Sequence, residues 1–408
     1  MKKIISLVLL AIILTSALAS CADPTVIDPV TVLPNSDDTD TPNDTNTPAA
    51  SSPSPLSFPE GPVSYHSVTR GYQYFDGKII SPVAYLMYFE PGGTYRILCE
   101  APDCAHGLND CAARLISIMT LVENDIIYLC ILDREATKQA GKNQFSLVRY
   151  DYKTGDKTTL CTLSDAVMDM MVYGDNVYFD IANRDTGYPM TCYVNKYTGS
   201  EVKQFLADQN VRLKDIVDGY YVYHKYDGVQ GLSGSYFIAP VDNPEAETPL
   251  DPEKALSVRS YRNILFCIGT DNTVYRYDFK AATLTDVGTL EYFSHKTNSI
   301  SFDEYGRLYY TLAGYVSANN GTQPQPEAPL SVMCLDTTTG TLEPITIPLD
   351  GFSAVSIISI QQGVLYIHGS RPTDGPDKEN LVIGFDLASG KITVYDSYIG
   401  TGRSFNVQ

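Results

Sequence analysis

Beyond Pro59, apolar and polar positions alternate in short runs, and the runs recur in a fixed order. An apolar run comes first, then a turn of Asp, Asn or Gly. A tyrosine-rich run follows, then a variable loop. A third run ends in a turn marked by Asp and Thr-Gly, and a fourth closes the unit. Period-two alternation bounded by turn residues reads as β-strand. The second unit is the clearest, with strands expected over Ile116–Val122, Ile126–Leu132, Phe145–Tyr150 and Lys157–Leu163. The pattern recurs over Val167–Leu206, around Asp218-Gly219, around Arg262-Asn263, from Glu304–Gly306 to Thr339-Gly340, and from Gln362-Gly363 to Ser389-Gly390. A weaker first unit fits residues 63–99, with strands at Val63–Val68, Tyr72–Phe75, Val83–Phe89 and Thr94–Leu98.

Four antiparallel strands per unit, at roughly 40–50 residues a unit, is the period of propeller blades. One blade cannot bury both of its faces, but a ring of them can, and closure protects the sheet edges. The fold class expected is all-β, a β-propeller of seven four-stranded blades, with six and eight the neighbouring counts. Either the tail Tyr398–Gln408 or a strand near Val63 is expected to close the ring. Composition agrees. The chain holds 30 Tyr, 14 Phe and 29 Gly without a Trp, and aromatic residues favour pleated, half-buried surfaces.

The 408-residue chain opens differently. Lys2 and Lys3 precede an apolar run from Ile4 to Leu14, and Leu18-Ala19-Ser20-Cys21 follows. Basic, apolar and small-residue regions in that order make an export signal over residues 1–20. A cysteine directly after Leu-Ala-Ser reads as a lipobox, with Cys21 lipidated on sulfur and first in the mature chain. Two acyl chains suffice for stable anchoring, so the expected location is the extracellular face of the cell membrane. Residues 22–56 carry seven Pro and six Asp with no aromatic residue, Lys or Arg. Such a stretch cannot offset its ordering entropy by burial. Residues 21–57 are therefore read as the lipidated cysteine and a stalk, of about 100 Å at about 3 Å per residue, and 58–408 as the propeller domain.

The formal charge of −19 argues against nucleic acid and anionic lipid as main partners, since both require basic patches. No phosphate loop, Gly-x-Ser-x-Gly or His-Glu-x-x-His occurs, and no catalytic residue is assigned. Asp303-Glu304 falls in a blade turn, where carboxylates satisfy turn geometry. His66, His224, His295 and His368 are scattered over different units and read as surface or packing residues. Cys130, Cys161, Cys192, Cys267 and Cys334 lie in or beside expected strands and read as small buried hydrophobes.

One local constellation stands out. Cys99, Cys104, His106 and Cys111 fall within thirteen residues between the first two units. Three cysteines and a histidine complete a tetrahedral set for structural zinc. In an exported chain the cysteines can equally pair as a disulfide. Long loops between second and third strands, namely 133–143, 182–189, 227–234, 314–329 and 369–379, share one strand junction and so one face, and they bring Tyr188, Tyr226 and Tyr315 there. Loops on a rigid scaffold are where binding resides.

The blades resemble those of propeller lipoproteins of Gram-positive bacteria, loosely of the TolB and domain-of-unknown-function types. The resemblance covers residues 60 to 400 and is carried by Arg149-Tyr150-Asp151 to Gly155 and Phe385-Asp386 to Gly390. The Cys-x4-Cys-x-His-x4-Cys element after the first blade is similar to one in the same group. These motifs are structural and imply no particular activity. The function expected is a monomeric, non-enzymatic binding or scaffolding protein for a protein, peptide or glycan. An extracellular hydrolase or lyase with its site in the central channel is the alternative. The two-lobed α/β pattern of solute-capture lipoproteins is absent.

Overall fold

The computed structural model of the chain describes residues 62–66, 72–75, 78–82, 86–102, 104, 111, 113, 117–182, 187–199, 201–206, 211–226, 234–293, 299–311 and 329–400. All of these belong to one compact unit that runs from Pro53 to Gln408. Cys21, the stalk over residues 21–57, His106, His295 and Tyr315 lie outside the described residues.

Every blade is built from four strands consecutive in the chain, paired antiparallel in chain order. Blade one runs from β2 (Gln73–Phe75) to β5 (Tyr95–Ile97), and blade two from β6 (Ser117–Glu123) to β9 (Lys157–Leu163). Blade three spans β10 (Asp169–Tyr173) to β13 (Lys203–Gln204), and blade four β14 (Val211–Val217) to β17 (Thr248–Pro249). Blades five, six and seven span β18 (Ser257–Tyr261) to β21 (Thr283–Thr289), β22 (Ile300–Phe302) to β25 (Leu342–Asp350), and β26 (Ser353–Gln361) to β29 (Ile392–Ile399). First strands of neighbouring blades touch, as with β6 and β10, β14 and β18, and β22 and β26. They are therefore the inner strands of a seven-bladed propeller around a common axis. Among the described residues no helix is long and apolar enough to cross a membrane.

The core explains the ring. Seven apolar clusters are found among the described residues, and each joins two adjacent blades. The last joins Ile79, Met87 and Phe89 of blade one to Tyr366, Val382 and Tyr395 of blade seven. Burying one such side chain contributes about 1.5–3 kcal/mol, so each blade is stable only with both neighbours in place.

Ring closure is not made by the strand near Val63. Among the described residues no strand of one end completes a blade of the other, and residues 401–408 of the expected closing tail lie outside them. Blade seven ends with its own β29, and the seam to blade one is held by side chains and a backbone hydrogen bond. The Tyr72 hydroxyl donates to the fully buried Asp396 at 2.6 Å, and the Gly92 N–H donates to the Val394 carbonyl at 2.8 Å. The segment near Val63 is not the first strand of blade one. Its two-residue strand β1 (Tyr65–His66) instead adds to blade three, with Tyr65 opposite Val172 and His66 opposite Met171 on β10. Blade one thus uses Gln73–Phe75, within the expected Tyr72–Phe75, as its inner strand, one place earlier in the blade than expected, and takes an extra strand, β3 (Lys78–Pro82).

The recurring Asp-to-Gly turn has a common geometry. Oδ1 of Asp151 accepts from the N–H groups of Lys153 and Thr154, while Gly155, at φ +80°, donates to the Asp151 carbonyl. Asp336 with Gly340 and Asp386 with Gly390 repeat it. The carboxylate satisfies turn amides that the ladder leaves unpaired. Gly199 ends the corresponding turn of blade three at φ +63°, where an added Cβ would sit 2.6 Å from the Leu160 carbonyl oxygen of blade two.

The loops between second and third strands are partly not loops. Residues 134–140 form a short helix α1 (Arg134–Ala140), capped by Asp133, whose carboxylate accepts from the Ala136 N–H, and ended by Gly141 at φ +65°. In blade seven the strands continue to Pro372 and resume at Lys378, so the connection shrinks to residues 373–377.

Candidate functional site

The inner strand of blade four breaks the apolar pattern of a propeller wall. Arg212, Lys214 and Asp215 interrupt the otherwise apolar run Val211–Val217. The ladder to β15 (Tyr220–Tyr226) shifts register between Leu213 and Asp215, which makes Lys214 the extra residue of a β-bulge. Bulges re-aim side chains, and here the bulge turns charged groups toward the inner wall shared by blades three, four and five.

Two carboxylates anchor this wall. Asp180, on β11 (Asn176–Ala182), is buried. It accepts from the Thr191 hydroxyl at 2.5 Å and from Arg212 Nε at 2.5 Å. The Thr191 hydroxyl oxygen in turn accepts from the Leu213 N–H at 2.8 Å. Burial drives the Asp180 carboxyl above its ordinary value, against the pull of Arg212. The other arm of Arg212 reaches Asp169, at 3.0 Å from Nη2. Asp215 is also buried. Its Oδ1 accepts from the Ser64 hydroxyl, pairs with His66 Nε2 at 3.2 Å and accepts from the Ile216 N–H at 2.7 Å. Its Oδ2 accepts from the Ser260 hydroxyl of blade five. Burial works against the charge of Asp215, but His66 and the hydroxyls more than offset it, and its carboxyl lies below the ordinary value. Burial also opposes the charge of His66, yet the facing Asp215 holds the imidazole above its ordinary value. The His66 side chain is 39% exposed. It touches water while ringed by protein, as a residue on the inner wall must.

Two cations complete the wall. Lys214 makes no ion pair or hydrogen bond among the described residues. Burial, reinforced by Arg212, pushes its ammonium down to about 8. Arg259, on β18, is exposed and donates from Nη1 to the Val258 carbonyl at 2.7 Å. Desolvation lowers it too. Half-buried aromatic rings border these groups. Tyr188 and Tyr226 stack with centroids 5.1 Å apart and planes at 19°. His224 meets the edges of Tyr226 and Tyr236 at 4.7 and 5.0 Å. Tyr226 and Tyr236 both interact electrostatically with Arg212, and Tyr236 with Arg259.

The second cluster is the thiol group. Cys99 and Cys111 are buried and Cys104 is half-buried, with their sulfur atoms all within 4.8 Å of one another. No disulfide links them. The segment is pinned by the Glu100 N–H donating to the Tyr152 carbonyl, the Cys104 N–H to the Ala101 carbonyl, and the Tyr150 hydroxyl to the Leu98 carbonyl. Gly155 lets the blade-two turn approach it, since a Cβ there would lie 2.8 Å from that of Ala101. Burial pushes the Cys111 thiol up to about 12. The sulfurs of a tetrahedral zinc site lie roughly 3.8 Å apart, given a Zn–S bond of about 2.3 Å, so this cluster can hold a metal ion after a small contraction.

The other expected residues fall as follows. Cys130, Cys192 and Cys267 are buried in strands, and Cys161 and Cys334 are half-buried in strands. Asp303 is a turn residue as read, capping Tyr305 and Arg307 and pairing with Arg307 Nε at 2.7 Å. His368 is half-buried in the seam against Tyr72, and desolvation lowers its imidazole. His66 is partly exposed, consistent with a surface residue, and it is also the partner of Asp215. A cleft of about 800 Å3 lies between blades five and six at the opposite end of the strands from the long loops, lined by Arg276, Asp278, Lys280, Asp286 and Thr337 among others.

No family model and no curated protein matches the chain. Solved structures that resemble it include the β-propeller domain of the Trilobed protease from Pyrococcus furiosus, at 10% identity and TM-score 0.45, covering 81% of this chain and 98% of that one. The computationally designed Ika8 protein is 11% identical with TM-score 0.40, covering 80% and 83%. TolB from Acinetobacter baumannii is 13% identical with TM-score 0.33, covering 68% of this chain and 64% of TolB, so the chain spans less than two thirds of that protein. The propeller assignment rests on strand order and blade-to-blade cores, not on these likenesses.

Proposed function

We propose that the chain is a lipid-anchored protein of the extracellular membrane face whose propeller binds its ligand without transforming it. One observation carries the binding reading. The buried carboxylates Asp180, Asp215 and Asp303 spend both oxygens on the protein's own donors. A general acid or base needs an atom within reach of substrate, and these have none to spare. Asp180 and Asp215 hold a rigid inner wall, and Asp303 holds a blade-six turn. The anchor reading is supported by Leu18-Ala19-Ser20-Cys21 behind its apolar run. A labelled palmitate fed to a bacterial host should enter the wild-type protein and leave Cys21→Ala unlabelled and out of the membrane fraction. Label in both would sink the anchor. Residue-dependent turnover of an envelope polymer by the purified protein would sink the binding reading.

The thiol cluster is a structural zinc site in this reading, with His106 as the fourth ligand beside Cys99, Cys104 and Cys111. Three sulfurs gathered at one point support it. Native mass spectrometry without reductant or chelator should show a zinc-sized increment that His106→Ala loses. A mass lower by the hydrogens of one bridge, with no metal, would replace zinc by a disulfide.

A further inference from the structure

We propose that the inner wall of blades three to five binds an acidic saccharide, with the sugar carboxylate held by Lys214 and Arg259 and the sugar ring laid against the tyrosines beside them. This rests on the binding reading above and specifies its ligand. Three observations carry it. First, the carboxylates of the wall are used up internally. Arg212 serves Asp169 and Asp180, and His66 serves Asp215. Lys214 and Arg259 have no carboxylate of their own within ion-pair distance among the described residues. Two partly desolvated cations on one wall repel each other, a cost that a bound anion removes. Second, Lys214 sits at a bulge on an inner strand, a device that aims a side chain at the expense of a ladder bond. Third, the chain carries a charge of −19, so a wall with two uncompensated cations is a local exception that an anion would find by field alone.

The aromatic rings decide the class of anion. Tyr188, Tyr226 and Tyr236 are half-buried, with Tyr226 beside Arg212 and Tyr236 beside both Arg212 and Arg259. A tyrosine face offers a flat apolar surface with a polar edge. That suits the C–H face of a pyranose carrying a carboxylate. A peptide carboxylate or a simple anion brings no such face.

Calorimetric titration of the full-length protein in detergent tests this with three probes: trigalacturonate, its methyl ester and triglutamate. Trigalacturonate should bind, and the other two should bind at least about tenfold more weakly. Lys214→Ala and Arg259→Ala should each weaken trigalacturonate about tenfold or more, and Tyr226→Ala about fivefold. Lys214→Met keeps the aliphatic stem and should weaken binding alike if the alanine variant does not fold. Binding should fade as pH rises through about 8, where Lys214 loses its proton among Arg212, Asp180, Asp169 and Arg259, and should persist in Lys214→Arg. Equal binding of the methyl ester, or unchanged binding by folded Lys214→Met and Arg259→Ala, overturns the site. Equal binding of triglutamate overturns the saccharide. No binding of trigalacturonate overturns the proposal and leaves the binding reading standing. Recovery of cleaved trigalacturonate, dependent on Lys214, supports the site and overturns the non-enzymatic reading instead.

Discussion

The thiol cluster beside blade one and the charged wall of blades three to five are both polar groups held in a β-sheet protein, yet they are built by opposite means. The thiols come from one short connection, and neutral sulfur needs no partner to be buried, at the cost of a proton held tightly on Cys111 up to about 12. The wall comes from five sheet strands and the β1 segment, and each buried charge there is met by a donor from another strand. A cluster drawn from a connection is free to be completed by something outside the chain, such as a metal ion. A cluster drawn from strands is completed by register, and what register leaves without a carboxylate among the described residues, Lys214 and Arg259, stands out.

That contrast can be broken or sharpened in order of effect. Arg212→Ala leaves Asp180 buried and unpaired, and should cost about 3–5 kcal/mol in denaturant unfolding. A loss under about 1 kcal/mol would mean the wall is not self-completed. Chelation should lower the stability of metal-loaded wild type by about 3 kcal/mol and leave Cys104→Ser unmoved; an equal response from both would break the contrast from the other side. Thr191→Val removes the hydroxyl between Asp180 and the Leu213 N–H and should cost about 1–2 kcal/mol, read as a melting shift of a few degrees. The smallest effect separates two histidines by pH. His66 binds its proton more tightly when folded, so its contribution is full below about 6.5 and is lost as pH rises through its folded value. His368 binds its proton less tightly when folded, so it destabilises as pH falls below about 6.5. Melting curves of His66→Gln should lose the decline on the alkaline side, and those of His368→Gln the decline on the acid side.

The same contrast governs what could be read from the sequence. The thiols were legible because thirteen residues of chain bring them together. The blades were legible because their strands are consecutive and their turns repeat one Asp-to-Gly geometry. The wall was not, since Ser64 and Asp215 stand 151 residues apart and Arg212 and Asp180 stand 32 apart. One signal was present: three charges inside Val211–Val217, a run that otherwise reads as an inner strand. Blade one was misaligned because Val63–Val68 has the alternation of a first strand, and alternation alone does not say which sheet a strand joins. The helix over Arg134–Ala140 was hidden by its length, since seven residues are too few to show a helical period.

The docking of β1 on blade three has a mechanical meaning. Any load entering from the N-terminal side passes through residues 62–66 before it reaches blade one. It meets a ladder of two residue pairs and the contacts of Ser64 and His66 with Asp215. Those bonds are few, and they lie apart from the seam that Tyr72, Asp396 and the blade-one aromatics hold closed. A sustained pull therefore peels the short strand first and gains slack while the ring stays shut. The chain carries its own breakable link between its N-terminal side and the ring, and the His66–Asp215 pair is one part of that link.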